Sequence, residues 1–148
     1  MNNRELRQRY ADGQRDFRGA VIRDEDLCEI QLEGALLDDA DLSESQLGGA
    51  NLSHVSLRRA TLNRANLSGA MLSFASLQHA ALTDAILVCA CLEQANLSHA
   101  HLRTADLTGA SLVSANLFCA QLTEADLSQC DLAWADLSQT RLFGARLY

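Results

Sequence analysis

From Leu27 to Leu147, leucine occupies every fifth position, 25 times without a miss. Neither regular element of secondary structure has that period. On an α-helix a five-residue step rotates the side chain by a net angle of about 140°, so the leucines wind around the cylinder and no face collects them. On a flat strand an odd step sends successive leucines to opposite faces, and no single strand is that long. What remains is a chain that turns a corner between one leucine and the next, so that all of them point at a shared axis. Such a chain is a solenoid, and a fixed internal repeat is its signature.

The register extends backward through Ile22 to Phe17, giving 27 centres. Two residues before each centre stands a small residue, mostly alanine, as at Ala35, Ala40, Ala50, Ala60 and Ala65; Glu25, Ile30, Ser45, Val55, Cys130 and Thr140 are departures. The residue just before the centre favours Asp, Asn, Ser or Gln, and the one just after favours Ser or Thr. Polar residues there satisfy turn backbone. The unit Ala, Asp/Asn, Leu, Ser/Thr, variable resembles the A(D/N)LXX signature of the pentapeptide repeat family, over residues 17 to 148. That resemblance implies an all-β fold, a right-handed quadrilateral β-helix with one pentapeptide per side, four per coil, and the Leu and Ala directed inward. Four per coil would make 6.75 coils from 27 centres, a rod of roughly 32 Å at strand spacing. Stability should then be a nearest-neighbour sum, since one coil cannot bury its own leucines.

The opening residues lie outside the repeat. Residues 1–13 are expected to form a short capping helix, with Asn2 or Asn3 as N-cap, Leu6 and Tyr10 one turn apart and Gly13 as the stop. Its apolar side would cover the first coil. Residues 14–148 form a single repeat domain whose unbroken register leaves no room for a linker. At the other end, Trp134, Phe143, Leu147 and Tyr148 either fold over the shaft as a plug or form the contact of a homodimer joined end to end at the C-terminal coil. The start "LRQRYADGQRDFRGA" is also similar to cyanobacterial members of the family.

The chain contains no apolar leader and no run of 18 apolar residues, so neither export nor membrane insertion is expected, and the cytoplasm is the expected compartment. Five cysteines without a CxxC pair argue against a disulfide framework or zinc knuckle. Cys130 stands at the inward position as a slightly larger alanine. With four repeats per coil, residues twenty apart share a column, and one column reads Asp39, Arg59, His79, His99, Cys119, Gln139. Two imidazoles and a thiol in a straight line on a flat wall do not converge on a tetrahedral ion, so no metal or cofactor is expected. Catalysis needs converging groups in a concave pocket, whereas His101 and Asp106 stand on neighbouring walls; no enzyme motif occurs.

Charge separates the remaining classes. The net charge is −7 and all 12 basic residues are arginine, which disfavours direct nucleic-acid binding. Nine acids lie between Asp24 and Glu44 with no base among them, and residues 45–83 contain no acid; residues 1–44 carry −6 and residues 45–148 only −1. The rod is therefore banded, with an acidic collar near its start. Asp41, Asp106, Asp126, Asp131 and Asp136 occupy the repeat's Asp/Asn place and read as turn residues. Glu25, Glu29, Glu33, Asp38, Asp39 and Glu44 do not, and are the candidates for contact with a protein partner. Phe74 and Trp134 share a second column, with Phe118 on an adjoining side. The resemblance also brings an alternative, because some family members bind DNA gyrase as anionic mimics of duplex DNA. Duplex DNA carries a charge about every 1.7 Å, whereas this rod is interrupted by Arg58, Arg59 and Arg64. The expected function is a non-enzymatic protein-interaction or structural scaffold with an unidentified protein partner.

Overall fold

The computed structural model describes residues 1–148. After each centre the chain closes a tight turn, as where Ala40 N–H donates to Leu37 O at 3.1 Å and Ala95 N–H to Leu92 O at 3.0 Å. The third residue of each turn has positive φ, the type II pattern. Twenty non-glycine residues occupy these corners, Asp39 at 60°, Phe74 at 60° and Thr104 at 57° among them, and six glycines occupy the rest. One left-handed corner per five residues is what lets every leucine face the same axis.

Between corners the chain is extended for only a few residues, and the residue before each centre pairs in parallel with the residue twenty further on: Asp41 with Thr61, Thr61 with Ala81, Ala81 with His101. Four pentapeptides thus bring the chain back over itself. Three hydrogen bonds per repeat join one coil to the next. In the joint above Leu107, Leu107 N–H donates to Asp126 O at 2.8 Å, Gly109 N–H to Ser128 O at 2.9 Å, and Asp126 N–H returns to Ala105 O at 2.9 Å.

The shaft is one cluster of 43 buried residues, built from Phe17, Ile22 and the leucines through Leu127 with the alanines between them. Alanine fills the place beside the corner in most repeats, and Ile30 and Val55 take the same place fully buried. Ser45 takes that place with its hydroxyl donating to Ile22 O at 2.7 Å, so the buried oxygen is satisfied. The Asp/Asn preference has an equally local cause. The N–H just after each centre finds no backbone acceptor in the neighbouring coils, and where Asp or Asn precedes the centre its side chain accepts it: Ser43 N–H to Asp41 Oδ1 at 3.1 Å, Ser68 to Asn66 at 3.0 Å, Ser128 to Asp126 at 2.9 Å. Where Ser or Ala precedes the centre, the coil below can supply the acceptor. Arg58 N–H donates to Asp38 Oδ1 and Thr83 N–H to Asn63 Oδ1, both at 2.9 Å.

Helix α1, Asn3–Ala11, precedes the repeats. Asn2 is its N-cap, accepting Glu5 N–H at 2.9 Å, and Gly13 follows the helix at φ 94°. Leu6 is fully buried in the shaft cluster, with Met1 and Tyr10 packed against it. Around Leu6 a ring of donors meets carbonyls of the first coil: the Met1 ammonium to Val21 O at 2.7 Å, Asn3 Nδ2 to Asp26 O, Arg7 Nη2 to Cys28 O at 3.0 Å and the Tyr10 hydroxyl to Glu33 O at 2.9 Å.

Candidate functional site

The interior is filled by Leu and Ala, so whatever this rod recognises must be read from its four walls and two ends. The six collar acids are distributed around all four walls rather than gathered on one. Glu25 sits at an inward alanine place and turns its carboxylate to the start of α1, accepting Asn3 N–H at 2.8 Å. That is a tertiary cap, favourable to the helix dipole. Asp38 accepts both Arg58 N–H and the Ser56 hydroxyl. Asp39 is held by both arms of Arg59 at 2.8 and 2.7 Å, and the Arg59 hydrogen bonds draw its carboxyl below the usual range. Glu44 lies 3.4 Å from Arg64. The arginine band therefore stands directly above the collar and pairs with part of it; Glu29 and Glu33 keep their carboxylates free of side-chain partners.

At the C-terminal end the burial fades. Leu132, Leu137 and Leu142 are half-buried, and Leu147 is 54% exposed. Trp134, Phe143 and Tyr148 are 90%, 84% and 85% exposed, so these rings do not fold over the shaft as a plug. The cause is the turn geometry: Trp134 stands at a left-handed corner and Phe143 and Tyr148 directly after a centre, and side chains at these two places project away from the axis. No hydrogen bond is made by the N–H of Leu132, Trp134, Leu137, Gln139, Leu142, Gly144 or Leu147. The sequence pointed to these four apolar residues but not to the row of backbone donors beside them.

On the wall bearing His79 and His99 the two imidazoles stack, with centroids 4.8 Å apart and planes 8° from parallel, and Phe118 meets His99 edge-on at 5.6 Å. Cys119 Sγ donates toward Gln139 Oε1 at 3.5 Å. His54 and Phe74 stack likewise at 4.9 Å. The His79–His99, His54–Phe74 and Cys119–Gln139 pairs are neighbours in columns, as the twenty-residue spacing requires, while Phe118 reaches His99 from the adjoining column. All five cysteines are free thiols. Cys130 donates to Leu107 O at 2.9 Å, and burial raises its pKa. The surface hollows are open, one along α1 at Asn2, Glu5 and Arg9 and one flanked by Asp106, Asp126 and Arg146. No helix is long and apolar enough to cross a membrane.

The pentapeptide repeats family model matches residues 16–53, 50–87, 85–118 and 120–148. The chain belongs to the pentapeptide repeat family. Among solved pentapeptide repeat proteins it is similar to HetL, involved in heterocyst differentiation regulation in the cyanobacterium Nostoc sp. strain PCC 7120. The likeness has a TM-score of 0.72 at 26% identity and spans 98% of this chain and 96% of HetL. A pentapeptide repeat protein of the Arabidopsis thaliana thylakoid lumen gives a TM-score of 0.53 at 25% identity over 69% and 68% of the two chains. A trypsin-treated variant of QnrB1, a plasmid-mediated fluoroquinolone resistance protein, gives 0.51 at 20% over 90% and 73%, which shows the fold alone. No curated protein matches the chain. The pentapeptide repeat neighbours imply the right-handed β-helix for this chain, and the left-handed corners and twenty-residue pairing are consistent with it.

Proposed function

We propose that this pentapeptide repeat protein is a non-enzymatic interaction scaffold that presents side-chain columns on flat walls to a protein partner. The observation that carries the reading is the end-to-end likeness to HetL, a protein involved in a regulatory process. The outer columns alone distinguish one member of such a fold from another, because leucine and alanine fill the inside. A cytoplasmic setting goes with five unpaired thiols. The collar wall at Glu29 and Glu33 is the proposed partner contact, since those carboxylates are not committed elsewhere in the rod. Exchange of Glu29 and Glu33 for Gln should release a bound protein recovered from the native cytoplasm while the Asp84→Asn control retains it. Retention by both would sink the collar assignment.

Two further readings follow from particular observations. The exposure of Trp134, Phe143, Leu147 and Tyr148 favours self-association through the last coil. A gyrase-directed DNA mimic ranks below the scaffold, because the Asp39–Arg59 and Glu44–Arg64 pairs neutralise the wall where such a mimic would need negative charge. Inhibition of gyrase supercoiling at low salt, or protection against a quinolone, would reverse that ranking.

A further inference from the structure

The backbone of this rod has a direction. At every joint the N–H of a centre and the N–H of its corner residue point toward the C-terminal end, and only the N–H before the centre points back. The C-terminal rim of a coil thus offers two donors and one acceptor per repeat, and the N-terminal rim two acceptors and one donor. The two ends of the molecule inherit these opposite characters. At the last rim the N–H groups of Leu137, Gln139, Leu142 and Gly144 and the carbonyls of Ala135 and Thr140 have no partner. At the first rim four carbonyls are taken, that of Val21 by the Met1 ammonium just before α1 and those of Asp26, Cys28 and Glu33 by side chains of α1, while Leu6 fills the mouth of the shaft.

We propose that the two ends are halves of one interface: the last coil receives the first coil of a second copy of this chain, and seated α1 keeps that first coil closed. The inference rests on the last coil being a self-association surface and adds which end of the second copy meets it. Hydrogen-bond bookkeeping decides between the ends. Last rim against first rim matches two donors with two acceptors and one acceptor with one donor, the arrangement found at each internal joint. Two last rims facing one another leave the corner N–H groups of Trp134, Gln139 and Gly144 without acceptors, and an unmade bond at a buried donor is costly. The apolar surfaces agree. Leu132, Leu137, Leu142 and Leu147 would meet Phe17, Ile22, Leu27 and Leu32, whose near side is the one facing α1. This contact joins two different surfaces, so it propagates instead of closing. Displacing α1 converts a capped rod into a unit that adds end to end.

The test uses the full chain with Leu6→Asp, which puts a carboxylate at a fully buried position against an acceptor-rich rim and cannot leave α1 seated. Sedimentation equilibrium of this variant should give a weight-average mass that climbs with concentration past twice the 16.1 kDa of the chain, with end-to-end rods in micrographs. Adding Leu142→Lys at the other end should return it to single rods with the same far-UV spectrum. A Leu6→Asp protein that stays monomeric, or whose association is indifferent to Leu142→Lys, overturns the proposal. A wild type that is already dimeric, with a mass unchanged by Leu6→Asp, also overturns it while leaving self-association through the last coil standing.

Discussion

The first and last coils are built from the same five-residue unit, yet they end in different physical states. At the first coil Phe17, Ile22 and Leu27 are buried because α1 lies across them, and the outward carbonyls of Val21, Asp26, Cys28 and Glu33 find donors. At the last coil Leu132, Leu137 and Leu142 lose that cover and a row of N–H groups stands free. Repeat sequence alone therefore does not confer burial. A leucine's contribution depends on having a coil on each side, which is the nearest-neighbour logic of solenoids.

The largest effect expected from that comparison is between Leu97 and Leu142. Leu97→Ala, with coils above and below, should destabilise by about 3–4 kcal/mol. Leu142→Ala should cost about 1 kcal/mol, in proportion to the smaller apolar area it keeps from water. Equal losses in urea unfolding would erase the distinction between interior and end. At the capped end, Leu6→Ala should cost about 2–3 kcal/mol, and its signature is local. Amide exchange should accelerate at Phe17, Ile22 and Leu27 and not at Leu97. Acceleration spread evenly along the rod would mean that the coils unfold as one unit.

A smaller effect should come from corner strain, which is the same wherever the corner lies. Gln94 and Gln129 hold φ values of 56° and 60°, so glycine at either should stabilise by about 1 kcal/mol. A gain at Gln94 without one at Gln129 would show that the last coil is not held in its corner geometry. The smallest is a pH effect on turns near the open end. Hydrogen bonds from Ser128 and from Ser138 hold the carboxyls of Asp126 and Asp136 below the usual range. Such groups contribute stability above the ordinary carboxylate pKa, and the contribution is lost as pH falls through the depressed folded value. Asp126→Asn and Asp136→Asn retain an acceptor that does not titrate, so the acid limb of the melting curve should flatten in both; an unchanged limb would remove these turns from the account.

What the chain's sequence made legible was set by sterics. Leucine at each centre and alanine two places earlier leave one arrangement in which both are buried, and Asp or Asn before the centre announces the turn N–H it accepts. The twenty-residue columns were equally legible, so that His79 over His99 and Asp39 beside Arg59 follow from spacing. The left-handed corners were not. Phe74, Thr104 and Cys119 have no preference for that conformation; the hydrogen bonds between coils impose it, and the six corner glycines were the clearest hint of it. Glu25 was also hidden, because a run of nine acids gives no sign that one carboxylate turns to the start of α1. Nor did the aromatic residues near the end reveal that their places in the turns aim them away from the shaft.

The joints between coils rest on single paired residues rather than on long strands, and this has a mechanical consequence. Tension applied between the termini loads one coil's few bonds at a time, beginning at the end without a helix. Pulled in an optical trap, the rod should peel from Tyr148 inward in repeated steps, each releasing twenty residues, or roughly 65–70 Å of slack, until the coil beneath α1 gives way last.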